Sequence, residues 1–427
     1  MKVLLTTIPL FAALAGQPQV AAVSGGEGLS EGDRARATEV AGGDEALRFD
    51  GSAGELTVPS PFVAEAGIEV DGVLDEAAWS SAAVLRGFTQ YDPVEGAPAS
   101  QETRVRVLVT EKAIVFGIEA FEEDPSQIRA TLTQRDNITR SDDYVRLILD
   151  TFGAQREAFV FAVNPHGVQQ DGLWTQGAGR GMGPPIDHSP NFLWDSEGRI
   201  NADGWVAEIS IPLKSLRFPE REVQDWRIQV TRRTQRNGYE ASWAPISANE
   251  ANQLAQSGTL AGLEGLDPGM FLEFNPVLTG SRQGSLDSES GVFTHENPEA
   301  EFGFNLTYGL TSNLKLDGTY NPDFSQVEAD AGQIVVNERF AIHLPERRPF
   351  FLEGTEIFKL PQNLVYTRSI VNPIAGAKIT GKVGGFNIAY LGAMDEATSS
   401  DDNAHAYVNL VRARRDVGES STIGLAY

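Results

Sequence analysis

The 427 residues carry 59 acidic and 34 basic side chains, a formal net charge of −25. A surface of that sign repels phosphate backbones, so no nucleic acid is expected as a partner. Cysteine is absent, so disulfides, thiolate metal sites and cysteine nucleophiles are excluded together, and stability rests on packing, hydrogen bonds or bound ions.

In chain order, the first segment reads as an address. Lys2 gives a short positive start and residues 3–15 form an apolar run of signal-peptide length. Ala13-Leu14-Ala15 or Val20-Ala21-Ala22 supplies a cleavage pattern. The run is too short to cross a bilayer as a helix, which takes about 20 apolar residues. Residues 1–22 are therefore expected to be a signal peptide. Residues 23–54, rich in Gly, Ala, Glu and Asp, are expected to be a flexible acidic linker. No later segment is long and apolar enough for a transmembrane helix, so any part in a membrane must be a closed barrel.

Residues 55–266 alternate between short apolar runs and Gly, Pro, Asn or Asp, which predicts an all-β domain built as a jelly-roll-like β-sandwich. Strands are expected over 104–108, 113–120, 144–149, 158–164, 205–211 and 226–232. In the second of these, Ile114, Phe116, Ile118 and Ala120 face one way and Val115, Gly117 and Glu119 the other. A helix is expected over 124–135, with Asp124 as N-cap and Pro125 at its first position. A shorter one is expected over 75–83.

The pattern changes in residues 267–427. Phe302, Phe304, Leu306, Tyr308 and Leu310 share one face of a strand, Ser312-Asn313 turns the chain, and Lys315, Asp317 and Thr319 share the polar face of the next. A second hairpin sets Ile379, Phe386, Ile388 and Tyr390 opposite Lys378, Thr380 and Lys382, around Gly384-Gly385. Such strands suit a transmembrane barrel, although periodicity alone fits a second soluble sandwich equally well. Roughly seven strands are countable, fewer than the minimum of about 8 for such barrels. The expectation is an incomplete antiparallel outer-membrane-type β-barrel, the front part of a longer protein.

Several phrases carry a resemblance. Ile68-Glu-Val-Asp-Gly-Val-Leu-Asp-Glu-Ala-Ala-Trp79, Asp142-Asp-Tyr-Val-Arg-Leu-Ile-Leu-Asp150, Val163-Asn-Pro-His-Gly-Val-Gln-Gln-Asp171 and Gly204-Trp-Val-Ala-Glu-Ile-Ser-Ile-Pro212 resemble the family 9 carbohydrate-binding module. Asn321-Pro-Asp-Phe-Ser-Gln-Val-Glu-Ala-Asp330 and Pro345-Glu-Arg-Arg-Pro-Phe-Phe-Leu-Glu-Gly354 resemble an outer-membrane barrel family catalogued as domain of unknown function 5916, which carries that sandwich at its N-terminus. The resemblance implies carbohydrate binding for the sandwich and an outer-membrane location for the rest, with polysaccharide and lipid as partners.

Sugar binding needs flat aromatic faces together with a few amides and carboxylates. Trp174 and Trp194 flank a Gly/Pro-rich loop, 176–190, and are the expected sugar platforms, with Asp171 and Asp195 as their polar companions. Trp205 and Trp226 begin apolar-alternating strands and are expected in the core. The sandwich family often holds structural calcium, and Asp142 and Asp143 are the candidate ligands here. No catalytic pair can be picked from 59 acidic residues. In the run Glu346-Arg-Arg-Pro349, the arginines are expected to pair with Glu346, Glu353 or Asp330 in a segment that plugs the barrel. The leading expectation is a carbohydrate-binding outer-membrane protein that supports glycan catabolism or uptake. A glycoside hydrolase, and a transport or structural barrel with the sandwich as plug or gate, are the rivals.

Overall fold

The structure, a computed structural model, describes residues 47–427 except 176–185, 268–270, 287–290, 323–345, 353–354, 359–364, 398–403, 418–420 and positions 189, 220, 283, 292, 296, 312, 347, 371 and 384. The expected signal peptide, the linker up to residue 46, and Asp330, Arg347 and Glu353 lie outside the described residues. The chain is all-β, and its helical stretches are single turns. Among the described residues no helix is long and apolar enough to cross a membrane.

The N-terminal half is a sandwich of two sheets. One runs Arg48–Asp50, Ala83–Arg86, Thr103–Val109, Ala113–Phe121, Gly204–Pro212, Asp195–Asn201. The other runs Ile186–Asp187, Gln169–Thr175, Glu157–Val163, Tyr144–Asp150, Val223–Thr234, Tyr239–Ser242, Thr89–Asp92, with Gly258–Glu264 and Thr57–Pro59 added at the side of Val223–Thr234. Strand parity builds the core. Ile114, Phe116 and Ile118 of the first sheet meet Val145, Leu147, Leu149, Phe159 and Phe161 of the second, each worth about 1.5–3 kcal/mol when fully buried. Trp205 and Trp226 lie in that core as expected, and Trp243 joins them.

Order starts earlier than the composition indicates: Arg48–Asp50 pairs parallel with Ala83–Arg86. The expected helix over 124–135 is a single 3-10 turn, Pro125–Gln127, capped by Asp124. Beyond it the backbone serves carboxylates rather than a helix. Arg129 N–H donates to Asp143 at 2.7 Å and Thr131 N–H to Asp142 at 2.8 Å. The shorter element is also a 3-10 turn, Ala77–Ser81.

Two of the phrases noted above touch each other. Buried Glu208 accepts from the N–H groups of Asp71 and Gly72 at 2.9 and 2.8 Å, tying the Ile68–Trp79 phrase to the Gly204–Pro212 strand. Trp79 and Leu74 close over the outer side of the first sheet at Gly117, where a Cβ would stand 2.6 Å from Leu74 Cδ2.

The C-terminal half is an antiparallel meander of seven strands: Leu272–Ser281, Glu299–Thr311, Leu314–Tyr320, Pro373–Val383, Phe386–Asp395, Tyr407–Val417 and Ser421–Ala426. The sheet is open, not closed on itself. Its register gives it two unlike faces. Phe304, Tyr320 and Ala375 align on one, as do Tyr308, Leu316, Ile379, Tyr390 and Val411. Much of that face is exposed, including Leu272, Phe274, Phe302, Tyr390, Ile423 and Leu425.

The other face carries Asn305, Thr307, Asp317, Thr319, Lys378 and Thr380, and is covered by the segment around 346–370. Phe350, Phe351, Phe358 and Ile370 pack there on Ala389, Leu391 and Ala393. Fully buried Lys378 donates to Phe350 O at 2.8 Å and stands 3.5 Å from Asp317. Arg348 pairs with Glu346 at 2.8 Å, as expected for one of the two arginines. Its remaining donors reach the carbonyls of Thr367 and Ile370. This half meets the sandwich through Arg414 and Glu157, 2.8 Å apart, and through Lys382 over the Phe152 ring.

Candidate functional site

The outward face of the nine-stranded sheet holds a cavity of about 470 Å³. Its floor is made by the residues whose strand neighbours fill the core. Because Val145, Leu147 and Leu149 point inward, Tyr144, Arg146 and Ile148 must point out. The register then sets three cross-strand rows. The first is Tyr144–Arg233–Glu240, the second Gln170–Ala162–Arg146–Thr231–Ser242, and the third Gly172–Val160–Ile148–Gln229. In the middle row the immediate neighbours of Arg146 are Thr231, which lines the cavity, and Ala162, which is buried with Ile138, Tyr144 and Val168.

Two loops wall the floor, one contributing Ile138 and Arg140, the other Ile246, Gln253 and Leu254. The second is braced by its own amides. Ser247 N–H donates to Gln256 Oε1 at 2.6 Å and Leu254 N–H to Asn252 Oδ1 at 3.1 Å. Trp174 and His188 close the side formed by the Gln169–Thr175 strand.

Polar groups in the cavity divide into engaged and free. Glu240 accepts from Tyr91 Oη at 2.5 Å and from Arg233 Nη1 at 2.8 Å. Burial, and then the Glu240 carboxylate, push the Tyr91 phenol well above its ordinary value, so it stays protonated and donates. Gln229 is spent on Ala244 and its own strand. By contrast, Arg146 Nε and Thr231 Oγ1 are buried with no hydrogen-bond partner among the described residues. Arg146 donates one long bond, 3.3 Å, to Tyr144 Oη and lies over that ring at 5.1 Å. Arg146 and Thr231 lie in one cross-strand row of the cavity.

Of the four side chains expected to hold sugar, the structure brings Trp174 to this cavity. It is 4% exposed and packs on Ile148, Ala158, Val160 and Leu254. Trp194 is 5% exposed on the opposite face of the sheet, in the core, edge-on to Phe161 at 5.3 Å. Asp171 is fully buried, takes Arg135 at 2.5 Å and Phe192 N–H at 2.7 Å, and is raised in pKa by burial against those contacts. Asp195 is exposed at the start of an edge strand of the other sheet.

Asp142 and Asp143 are buried loop ties. The first accepts from the backbone of Thr131 and Thr139, the second from Arg129 and Gln235. Desolvation raises the Asp143 pKa against those bonds. Among the described residues no group of three or more His, Cys, Asp or Glu side chains is arranged to hold a metal ion.

Tyr144, Arg146 and Thr231 were missed by the sequence reading. A signal existed in Tyr144-Val-Arg-Leu-Ile-Leu-Asp150: the outward parity holds a Tyr, an Arg and an Ile, unlike the Ser, Lys and Glu of a solvated face.

Comparison with known proteins adds the following. The model of a family described as a domain of unknown function, DUF5916, matches residues 268–382. No curated protein matches the chain. Among solved structures the chain is similar to a family 9 carbohydrate binding module from Caldicellulosiruptor kristjanssonii in complex with cellotriose. That match has 11% identity and TM-score 0.35, over 48% of this chain and 92% of that one. The glucose complex of a family 9 module from the same organism matches at 12% identity and TM-score 0.33, over 48% and 95%. A putative carbohydrate-binding protein from Bacteroides uniformis matches at 12% identity and TM-score 0.38, over 48% and 98%.

Proposed function

We propose that this chain is a glycan-binding protein of the cell envelope, in which the sandwich takes an oligosaccharide or polysaccharide segment in the cavity on its outer face. The carrying observation is the cavity itself: about 470 Å³, within the range of about 300–1,000 Å³ usual for ligand sites. Aromatic side chains from separate strands line it, and unpartnered Arg146 Nε and Thr231 Oγ1 lie at its floor. Rings that stack on sugar C–H surfaces, beside donors and acceptors for hydroxyls, are what a glycan requires.

The signal-peptide-like start and the two-faced C-terminal sheet support an exported protein whose second half begins an outer-membrane barrel. An exposed apolar face over a polar, covered one is the arrangement that lipid outside and water inside select. The segment around 346–370 then serves as a plug within that barrel.

Affinity electrophoresis of the full chain through polysaccharide gels tests the binding reading. Tyr144 lines the cavity but is 6% exposed and packs with Ile138, Ala162 and Val168. Tyr144→Ala is therefore expected to cost roughly 3–5 kcal/mol of stability and to weaken retention of the folded fraction several-fold, in line with about 1 kcal/mol for a stacked aromatic. Trp194→Ala is expected to lower stability by roughly 3–5 kcal/mol without changing the affinity of the folded fraction. Unchanged retention for Tyr144→Ala would move the site elsewhere.

A further inference from the structure

The charge balance inside the cavity carries the reading a step further. Arg146 sits at the centre of the sheet, its Nε buried and unpartnered, and no carboxylate among the described residues lies within ion-pair distance of it. Nearby Glu240 is already matched by Arg233. Arg140 adds a second cation on the wall, while Asp92 stands exposed at the rim. In a chain of net charge −25, a guanidinium kept free of carboxylates at the floor of a cavity is a specific arrangement. Its Nη2 leans on Tyr144 Oη, and the side chain lines the cavity together with Thr231.

We propose that the glycan taken by this cavity is acidic, a uronic-acid-containing chain, and that the half-buried Arg146 guanidinium receives its carboxylate. The proposal rests on the glycan-binding reading and names the class of sugar. A planar carboxylate matches the fork of a guanidinium with two parallel bonds. A neutral sugar would leave the buried cation with hydroxyl partners alone. The Tyr144 ring, already beneath the guanidinium at 5.1 Å, orients the fork before the ligand arrives. Long-range repulsion from the acidic surface opposes any polyanion, so retention of an acidic glycan requires a local cation of this kind.

The test uses the full chain in affinity gels of polygalacturonate, alginate and glucuronan, each beside its carboxyl-reduced neutral counterpart. The expected result is retention of at least one acidic polymer about tenfold or more over its neutral form. Arg146→Gln should abolish that preference, and Arg146→Lys should restore part of it, since it returns the charge without the fork. The thermal midpoint of each variant separates loss of binding from loss of folding. Equal retention of acidic and neutral forms, or a preference that survives Arg146→Gln, would overturn the proposal and leave the glycan-binding reading standing. Retention of dextran sulfate over dextran as strong as that of the uronates would overturn the carboxylate assignment. Failure of every polymer, neutral ones included, would remove the glycan-binding reading and this proposal with it.

Discussion

Replacing Arg232 by Met is expected to destabilise the sandwich by about 3–5 kcal/mol. Arg232 is 2% exposed and lies on the Val223–Thr234 strand of one sheet, but its guanidinium serves the other. It donates to Glu102 O at 2.8 Å, to Thr103 Oγ1 at 3.1 Å and to Phe121 O at 2.7 Å. Burial pulls its pKa down to about 10, against the attraction of Asp143 and Glu122, so it remains charged at neutral pH. Met supplies comparable aliphatic volume and isolates the loss of the bonds. A buried ion replaced together with its partners can be neutral, but here two carbonyls and a hydroxyl lose a donor, and the Asp143 and Glu122 carboxylates lose a nearby cation. Denaturant melts of the full chain check this. The exposed control Arg221→Met should stay within about 0.5 kcal/mol of wild type. An Arg232→Met shift no larger than the control's would show that the two sheets are not clamped there.

The second large effect concerns the C-terminal sheet. If this face meets lipid, as proposed, Leu306→Arg should block membrane assembly, because charge on a lipid-facing strand costs about 2–4 kcal/mol at the midplane. Leu306 shares its face with Phe274, opposite it on the preceding strand. Thr307 points the other way and donates to Asp317 Oδ1 at 3.0 Å, with Lys315 3.3 Å from the same carboxylate. An arginine at 307 gains that carboxylate, and Thr307→Arg should assemble. Single cysteines give the independent readout, since the chain has none of its own. Cysteine at Leu306 should react with lipid-confined probes and cysteine at Thr307 with water-borne reagents. Equal labelling of both by water-borne reagents would show that these strands do not enter a membrane.

The all-β fold was legible because it depends on parity, which survives in a single sequence. The alternation of Ile114, Phe116 and Ile118 against Val115 and Gly117 placed the core face of that strand correctly. The alternation of Leu306 and Tyr308 against Thr307 in the last sheet likewise set those side chains on opposite faces. What parity could not supply was which strands lie side by side. Arg146 stands between Ala162 and Thr231 because those residues, distant in sequence, fall beside it in register.

The two tryptophans show the same limit. Trp174 and Trp194 flank one loop and look equivalent, yet strand parity turns the first outward, and the second packs inward on Phe161. Asp142 and Asp143 read as ion ligands because adjacent carboxylates attract cations. Backbone N–H groups from residues as distant as Gln235 use them instead. The helix expected over 124–135 gave way for the same reason, its N–H groups being taken by those carboxylates.

The most direct test of the glycan-binding account is protection of the cavity wall. Gln253→Cys places a thiol on the exposed wall of the cavity, and Ser80→Cys places one on an exposed turn of the opposite sheet. Methanethiosulfonate labelling of the full chain is followed with and without a saturating amount of a polysaccharide that the wild type retains. The account predicts that the polysaccharide slows labelling at 253 and leaves labelling at 80 unchanged. A bound polysaccharide that leaves both rates unchanged would contradict it.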